Sequence, residues 1–177
     1  MNVKNKVIAI TGGAGGIGTA QSKLLAENGA IVWILDLAAD KALALADELT
    51  AQGYQARGAA MDVGCEEDWK NIVDRIVAQD GRLDVVVNNA GINIRKPIEE
   101  MNMDEWMKMM EVNTGSVFLS AKYSIPVMRR QGGGEIINTS SICGLIGHMH
   151  TPEAYTATKG AVTLLTRSIA ARYGKDN

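Results

Sequence analysis

Residues 6–30, KVIAITGGAGGIGTAQSKLLAENGA, decide the fold. The β-branched run Lys6–Ile10 reads as a strand, the glycines that follow as a tight turn, and residues 17–28 as a helix with Gly29 where a C-cap is expected. Two glycine registers fit, Gly13-x-Gly15-x-x-Gly18 and Thr11-Gly12-x-x-x-Gly16-x-Gly18, and spacing alone does not choose between them. Both meet the same demand. A pyrophosphate has to approach backbone N–H groups at a helix N-terminus, and Cβ atoms would block it. A lone G-x-G-x-x-G is often only a flexible loop, but this one opens a helix directly after a strand, the context that phosphate binding requires.

Working outward, Ile31-Val-Trp-Ile-Leu35 reads as a second strand ending at Asp36, near the distance expected for the carboxylate that binds a ribose. A carboxylate there accepts from the 2′- and 3′-hydroxyls and repels a 2′-phosphate, which argues for NAD over NADP. Ala14, Gly15 and Leu37, the neighbours best placed to carry a compensating cation, carry none. The plainer alternative is that Asp36 begins a loop or caps the helix starting near Asp40. Further strands are expected near 56–61, 83–88 and 135–140, with helices near 40–52, 66–79, 103–131 (broken around Asn113) and 154–173. Continuous apolar strands such as Leu83–Val87 suit a parallel sheet covered on both faces. The expected class is therefore α/β, a doubly wound parallel sheet, with the ligand crevice at the carboxyl ends of the strands. Thr11, Asp36, Asp62, Asn88 and Ser141 are each expected to close a strand.

In EAYTATKGAVTLLTRSIAARYG the apolar residues recur at helical spacing, so Tyr155 and Lys159 share one face. A free phenol is a poor base at neutral pH unless an ammonium nearby favours the phenolate, and Lys159 is placed to supply one. An isolated Tyr-x-x-x-Lys would ordinarily be a half-buried aromatic and a solvated lysine. Its upstream company gives it weight.

That company is Thr11-Gly12-x-x-x-Gly16-x-Gly18, Asp62-Val63, Asn88-Asn89-Ala90-Gly91, Asn113, Ser140-Ser141 and Tyr155-x-x-x-Lys159. In this order it resembles the short-chain dehydrogenase/reductase family from one end of the chain to the other. The resemblance selects the second glycine register and implies a Rossmann-like sheet of order 3-2-1-4-5. It implies a cofactor site of Thr11, Gly12, Gly16, Ile17, Gly18, Asp36, Asp62, Val63, Asn89, Ala90 and Gly91, shared with Tyr155 and Lys159. Asp62 would meet the adenine, and Asn88–Gly91 would form the turn after the fourth strand. Asn113 would sit at a helix irregularity and hold a water in a proton relay, and Ser141 would orient the substrate oxygen. Tyr155 would exchange the proton, while Lys159 would bind the nicotinamide ribose and favour the phenolate. The implied activity is NAD-dependent hydride transfer between nicotinamide and a secondary alcohol or its ketone, with no metal. The family's helix pairing implies a homodimer or homotetramer.

Two features depart from the family. Ser141 and Tyr155 are fourteen apart, one more than is common, so the stretch 144–153 holds an extra residue. The chain has 177 residues and ends after the tyrosine helix, without counterparts to the family's sixth and seventh strands or its substrate-capping helices. The expectation is that the native protein is longer, because the fifth strand would otherwise be an uncovered edge.

Composition excludes several classes. A net charge of −2 and a single Phe provide neither an electrostatic footprint for nucleic acid nor a base-stacking surface. No apolar run reaches a membrane-spanning length, and the early first strand leaves no room for a signal peptide, so a cytoplasmic location is expected. Cys65 and Cys143 have no reason to pair. Cys143, His148 and His150 offer an irregular ligand set, and no metal is expected there. Met101, Met103, Met107, Met109 and Met110 around Trp106 read as adaptable core filling, the alternative being a pliable wall near the substrate or a subunit contact. Two other functions remain open. A 3-oxoacyl-thioester reductase would want cations near the ribose, which Asp36 opposes, and a non-catalytic dinucleotide-binding protein would bind cofactor without turnover.

Overall fold

The computed structural model describes residues 3–176. Its strands are Val7–Thr11 (β1), Ile31–Asp36 (β2), Gln55–Ala60 (β3), Val85–Asn88 (β4) and Glu135–Asn138 (β5). Its helices are Gly16–Glu27 (α1), Ala39–Ala51 (α2), Glu66–Asp80 (α3), Met103–Met110 (α4), Ser116–Arg130 (α5) and Glu153–Tyr173 (α6). The strands form one sheet in the order β3-β2-β1-β4-β5, every neighbouring pair parallel. This is the expected doubly wound arrangement, in which helical crossovers cover both faces.

Successive strand side chains point to opposite faces, so the apolar runs of β1 and β2 feed two cores at once. Ile8, Ile10, Val32 and Ile34 meet Ala26 of α1 and Ala42, Leu45 and Leu49 of α2. On the other face Val7, Ala9, Trp33 and Leu35 meet α3 and α5. Trp69, Ile72, Val73 and Ile76 recur at helical spacing, which puts the buried stripe of α3 against that face, each contributing about 1.5–3 kcal/mol. Gly81 stops the helix in the left-handed conformation (φ 75°).

Three local expectations shift. β4 starts at Val85 rather than 83, because the Gln131 amide takes both backbone groups of Leu83 (3.1 and 2.7 Å) and the Asp84 carboxylate accepts from Val7 N–H (2.9 Å). β3 and β5 end at Ala60 and Asn138, so Asp62 and Ser141 lie on the loops beyond their strands rather than at the last strand residue. Of the methionines around Trp106 only Met109 is buried, while Met103 and Met107 are 70% and 55% exposed. Core filling therefore describes Met109 alone. The break expected near Asn113 is a π-helical turn, Glu111–Gly115, inserted between α4 and α5.

Candidate active site

The site is built on the carboxyl ends of β1, β2 and β4. Gly12 takes φ +60°, and a Cβ there would lie 3.1 Å from Ala90 Cα. A Cβ on Gly18 would overlap the Gly12 carbonyl, so the turn can pack against α1 only with glycine at this position. Gly16 differs, since a Cβ there would meet nothing within 4 Å. The fold does not require that glycine. Gly15 caps α1 without any side-chain hydrogen bond, and Gly16 and Ile17 N–H have no partner among the described residues. Unpaired N–H groups at a helix N-terminus, beside bare backbone, suit an anion.

Thr11 serves the turn from beneath. Its buried hydroxyl accepts from Asn89 and Ala90 N–H (both 3.1 Å), and the Asn89 side chain donates to the carbonyls of Thr11 and Gly12 (both 3.1 Å). These bonds lock the first and fourth strand ends together. A crevice of roughly 300 Å³ opens between them, lined by Gly12, Asp36, Asp62, Val63, Ala90 and Gly91 among others. Asp36 accepts from Ala14 and Ala38 N–H (both 3.1 Å), which fixes its carboxylate in the crevice wall. Asp62 accepts from Gly64 N–H (2.8 Å).

The second half of the site gathers around α6. Lys159 is 5% exposed, its Nζ donates to the Thr139 carbonyl (2.7 Å), and it lies 5.7 Å from the centre of the Tyr155 ring. Burial holds its ammonium below the usual lysine range. Asn113, 2% exposed, accepts from Ile92 N–H (2.8 Å) and donates to the Ile92 carbonyl (2.9 Å) and Thr158 Oγ1 (3.1 Å). Thr158 in turn donates to the Tyr155 carbonyl (2.8 Å). The two serines separate clearly. Ser140 is tied to the Lys159 carbonyl (3.1 Å) and Thr163 Oγ1 (2.7 Å), whereas the Ser141 hydroxyl accepts only from Cys143 N–H (3.2 Å). The Ser141 hydroxyl therefore keeps its own proton free among the described residues. Gly91 joins the two halves, since a Cβ on it would sit 3.2 Å from Asn113 Oδ1 and 3.7 Å from Lys159 Nζ.

The model of the short chain dehydrogenase family matches residues 6–177. The chain belongs to that family. It is 41% identical over 168 residues to a cyclopentanol dehydrogenase of Comamonas testosteroni, covering 95% of this chain and 67% of that one. It is 39% identical over 181 residues to a trans-4-hydroxycyclohexanecarboxylate dehydrogenase of Sinomonas cyclohexanicum, covering 99% and 69%. Among solved structures, a gluconate 5-dehydrogenase from Burkholderia cenocepacia J2315 in complex with NADP and tartrate superposes with a TM-score of 0.93 at 34% identity, covering 99% of this chain and 69% of the other.

Several residues that organise this short chain dehydrogenase were not singled out from its sequence. Thr158 links Asn113 to Tyr155, and Thr139 holds Lys159. Asn138 accepts from Asn88 (2.7 Å) and donates to Thr166 (2.9 Å), tying β4 through β5 to α6. A polar residue repeating on the inner face of the Tyr155 helix was the available signal for Thr158 and Thr166. Lys108 also lines the crevice, its ammonium paired with Glu111 (2.9 Å). Among the described residues no helix is long and apolar enough to cross a membrane, and Cys143 donates to Thr151 (3.4 Å) rather than joining His148 and His150 in a metal-binding group.

Proposed function

We propose that this short chain dehydrogenase interconverts a secondary alcohol and its ketone with NAD, Tyr155 acting as the acid/base. The observation that carries the reading is the buried Lys159, held by Thr139 beneath the Tyr155 ring. The glycine turn, the unpaired N–H groups of α1 and the crevice from Gly12 to Val63 fit a dinucleotide, with Asp36 at the ribose and Asp62 and Val63 at the adenine. When bound, the nicotinamide would supply hydride transfer to or from the carbinol carbon. The chain's own residues do the rest. Ser141 donates to the substrate oxygen and orients it. Tyr155 exchanges that oxygen's proton: as the phenolate it takes the proton when the alcohol is oxidised, as the phenol it returns it when the ketone is reduced, and the Lys159 ammonium stabilises the phenolate form. The Asn113 side chain is fully engaged with Ile92 and Thr158, so in this reading its backbone carbonyl, in the π-turn, holds the relay water.

Asp36 supports NAD over NADP, because a 2′-phosphate would meet its carboxylate. Lys108 does not offset that repulsion, since its charge is already met by Glu111. The names of the relatives favour cyclic or hydroxylated substrates. Self-association through α5 and α6 belongs to the same reading, supported by Phe118 and Leu164, 54% and 65% exposed on those helices. The test is a dehydrogenase assay of the enzyme on cyclopentanol, cyclohexanol and hydroxy acids with NAD and with NADP. Turnover should be faster with NAD, and Asp36→Ala should shrink that preference by roughly tenfold, the worth of one modest charge repulsion at an effective protein dielectric. Equal use of both cofactors by the wild type would remove Asp36 from the assignment, and no turnover of any alcohol would remove the function.

A further inference from the structure

A second cavity, about 470 Å³, opens between the segment after β4 and the segment before α6. Asn93, two residues past Gly91, forms one wall, and Glu153, two residues before Tyr155, forms the other. A substrate whose carbinol reaches Ser141 and Tyr155 would place the remainder of its body in this space. Its walls are rich in hydrogen-bonding groups, with Arg95 and Lys96 on one side and His150 and Thr151 on the other.

The charges there do not all cancel. Lys96 is paired with Glu105. Glu153 stands in the first turn of α6, where the helix N-terminus offsets part of its charge. Arg95 is exposed and has no ion-pair partner among the described residues. Thr151 Oγ1 already accepts from Cys143 Sγ (3.4 Å), so its own proton is free to donate elsewhere. A planar guanidinium with five donors and no acceptor, beside a hydroxyl and an amide, matches a carboxylate better than it matches an uncharged ring.

We infer that Arg95 sets the substrate class: the alcohol that this enzyme oxidises carries a carboxylate, which Arg95 binds while the carbinol lies at Tyr155. The inference rests on the oxidoreductase reading above. It separates a hydroxy acid and its oxo acid from the plain cyclic alcohols that the reading also allows.

Substrate pairs differing by one carboxylate test it, 4-hydroxycyclohexanecarboxylate against cyclohexanol and 3-hydroxybutyrate against 2-butanol, on the full enzyme with NAD. The acid of each pair should have the higher kcat/KM, by at least about tenfold. Arg95→Ala should collapse that ratio by a similar factor through KM, and Arg95→Lys should restore part of it, keeping the charge without the fork. Arg95 is exposed, so neither variant disturbs the core. Preference for the neutral member, or a ratio that Arg95→Ala leaves unmoved, would overturn the inference while leaving the oxidoreductase reading intact. If no member of either pair is turned over, the oxidoreductase reading fails, and calorimetric titration of the NAD-loaded protein with 4-hydroxycyclohexanecarboxylate decides the role of Arg95. Binding heat lost in Arg95→Ala would keep it, and equal heat in both proteins would end it.

Discussion

Every residue of β1 is buried, whereas no residue of β5 is, although the two strands are separated only by β4. The difference runs through the whole molecule. Around β1 and β2 the nucleotide half is held by apolar packing on both faces and by a turn so tight that Gly18 touches Gly12. Around β5 and α6 the other half is held by side-chain hydrogen bonds, Asn88 to Asn138 to Thr166, Asn113 to Thr158, and Lys159 to Thr139. Among the 21 residues of α6 only Ala154, Thr158, Lys159 and Val162 are buried, all in its first half. Close packing tolerates little change of volume, while a polar network sets direction and is sensitive to the loss of a single partner. One half resists changes of volume, the other depends on the direction of a few side chains.

The sharpest way to separate the halves is to remove the proposed acid/base from the one around α6 without touching the framework. Tyr155→Phe should lower kcat by about two to four orders of magnitude and leave NADH affinity nearly unchanged in a fluorescence titration. Turnover retained in that variant would mean that Tyr155 is not the proton carrier. Next come the glycines of the other half. Gly18→Ala places a methyl on the Gly12 carbonyl and should cost on the order of 1–3 kcal/mol or more, read as a lower Tm together with lost NADH binding. Gly16→Ala, with empty space around its new methyl, should keep Tm and weaken NADH alone. Equal losses of Tm in both would erase the distinction between a glycine the fold requires and one the ligand requires. The smallest effect belongs to the polar network. Thr158→Val keeps the shape but removes the hydroxyl between Asn113 and Tyr155, and should cost about 1 kcal/mol in urea unfolding. A fall of a few fold in kcat with an unchanged NADH Kd should accompany it, and a variant normal in kcat would show that this link does not aim Tyr155.

The contrast also explains what was legible in the sequence. The first two strands and β4 announce themselves as apolar runs because both of their faces are covered, so their places could be read directly, while the register of the glycine turn and the sheet order came from the family resemblance. The residues Tyr155, Lys159, Asn113 and Ser141 were legible as a pattern, yet their means of support was not. Thr158, Thr139 and Asn138 act through pairings across 20 to 50 positions of chain, which periodicity does not encode. The start of β4 shifted for a similar reason, since Gln131, distant in sequence, supplies the partners that Leu83 would otherwise find in a strand. The resemblance named Ser141, and what it left unseen is that its neighbour Ser140 is engaged by α6 through the Lys159 carbonyl and Thr163.

The π-turn at Glu111–Gly115 makes the long segment from Met103 to Arg130 unusually intolerant of insertions and deletions. It carries one residue more than an α-helical turn would, and each residue of a helix advances by about 100°. Removing a residue there would restore a regular helix while rotating everything before it by that angle, swinging Met109 out of the core as Leu119 stayed in place. Substitutions along this segment can be absorbed one side chain at a time. A change of length cannot, so the reading frame of the helix, more than the identity of most of its residues, keeps Asn113 within reach of α6.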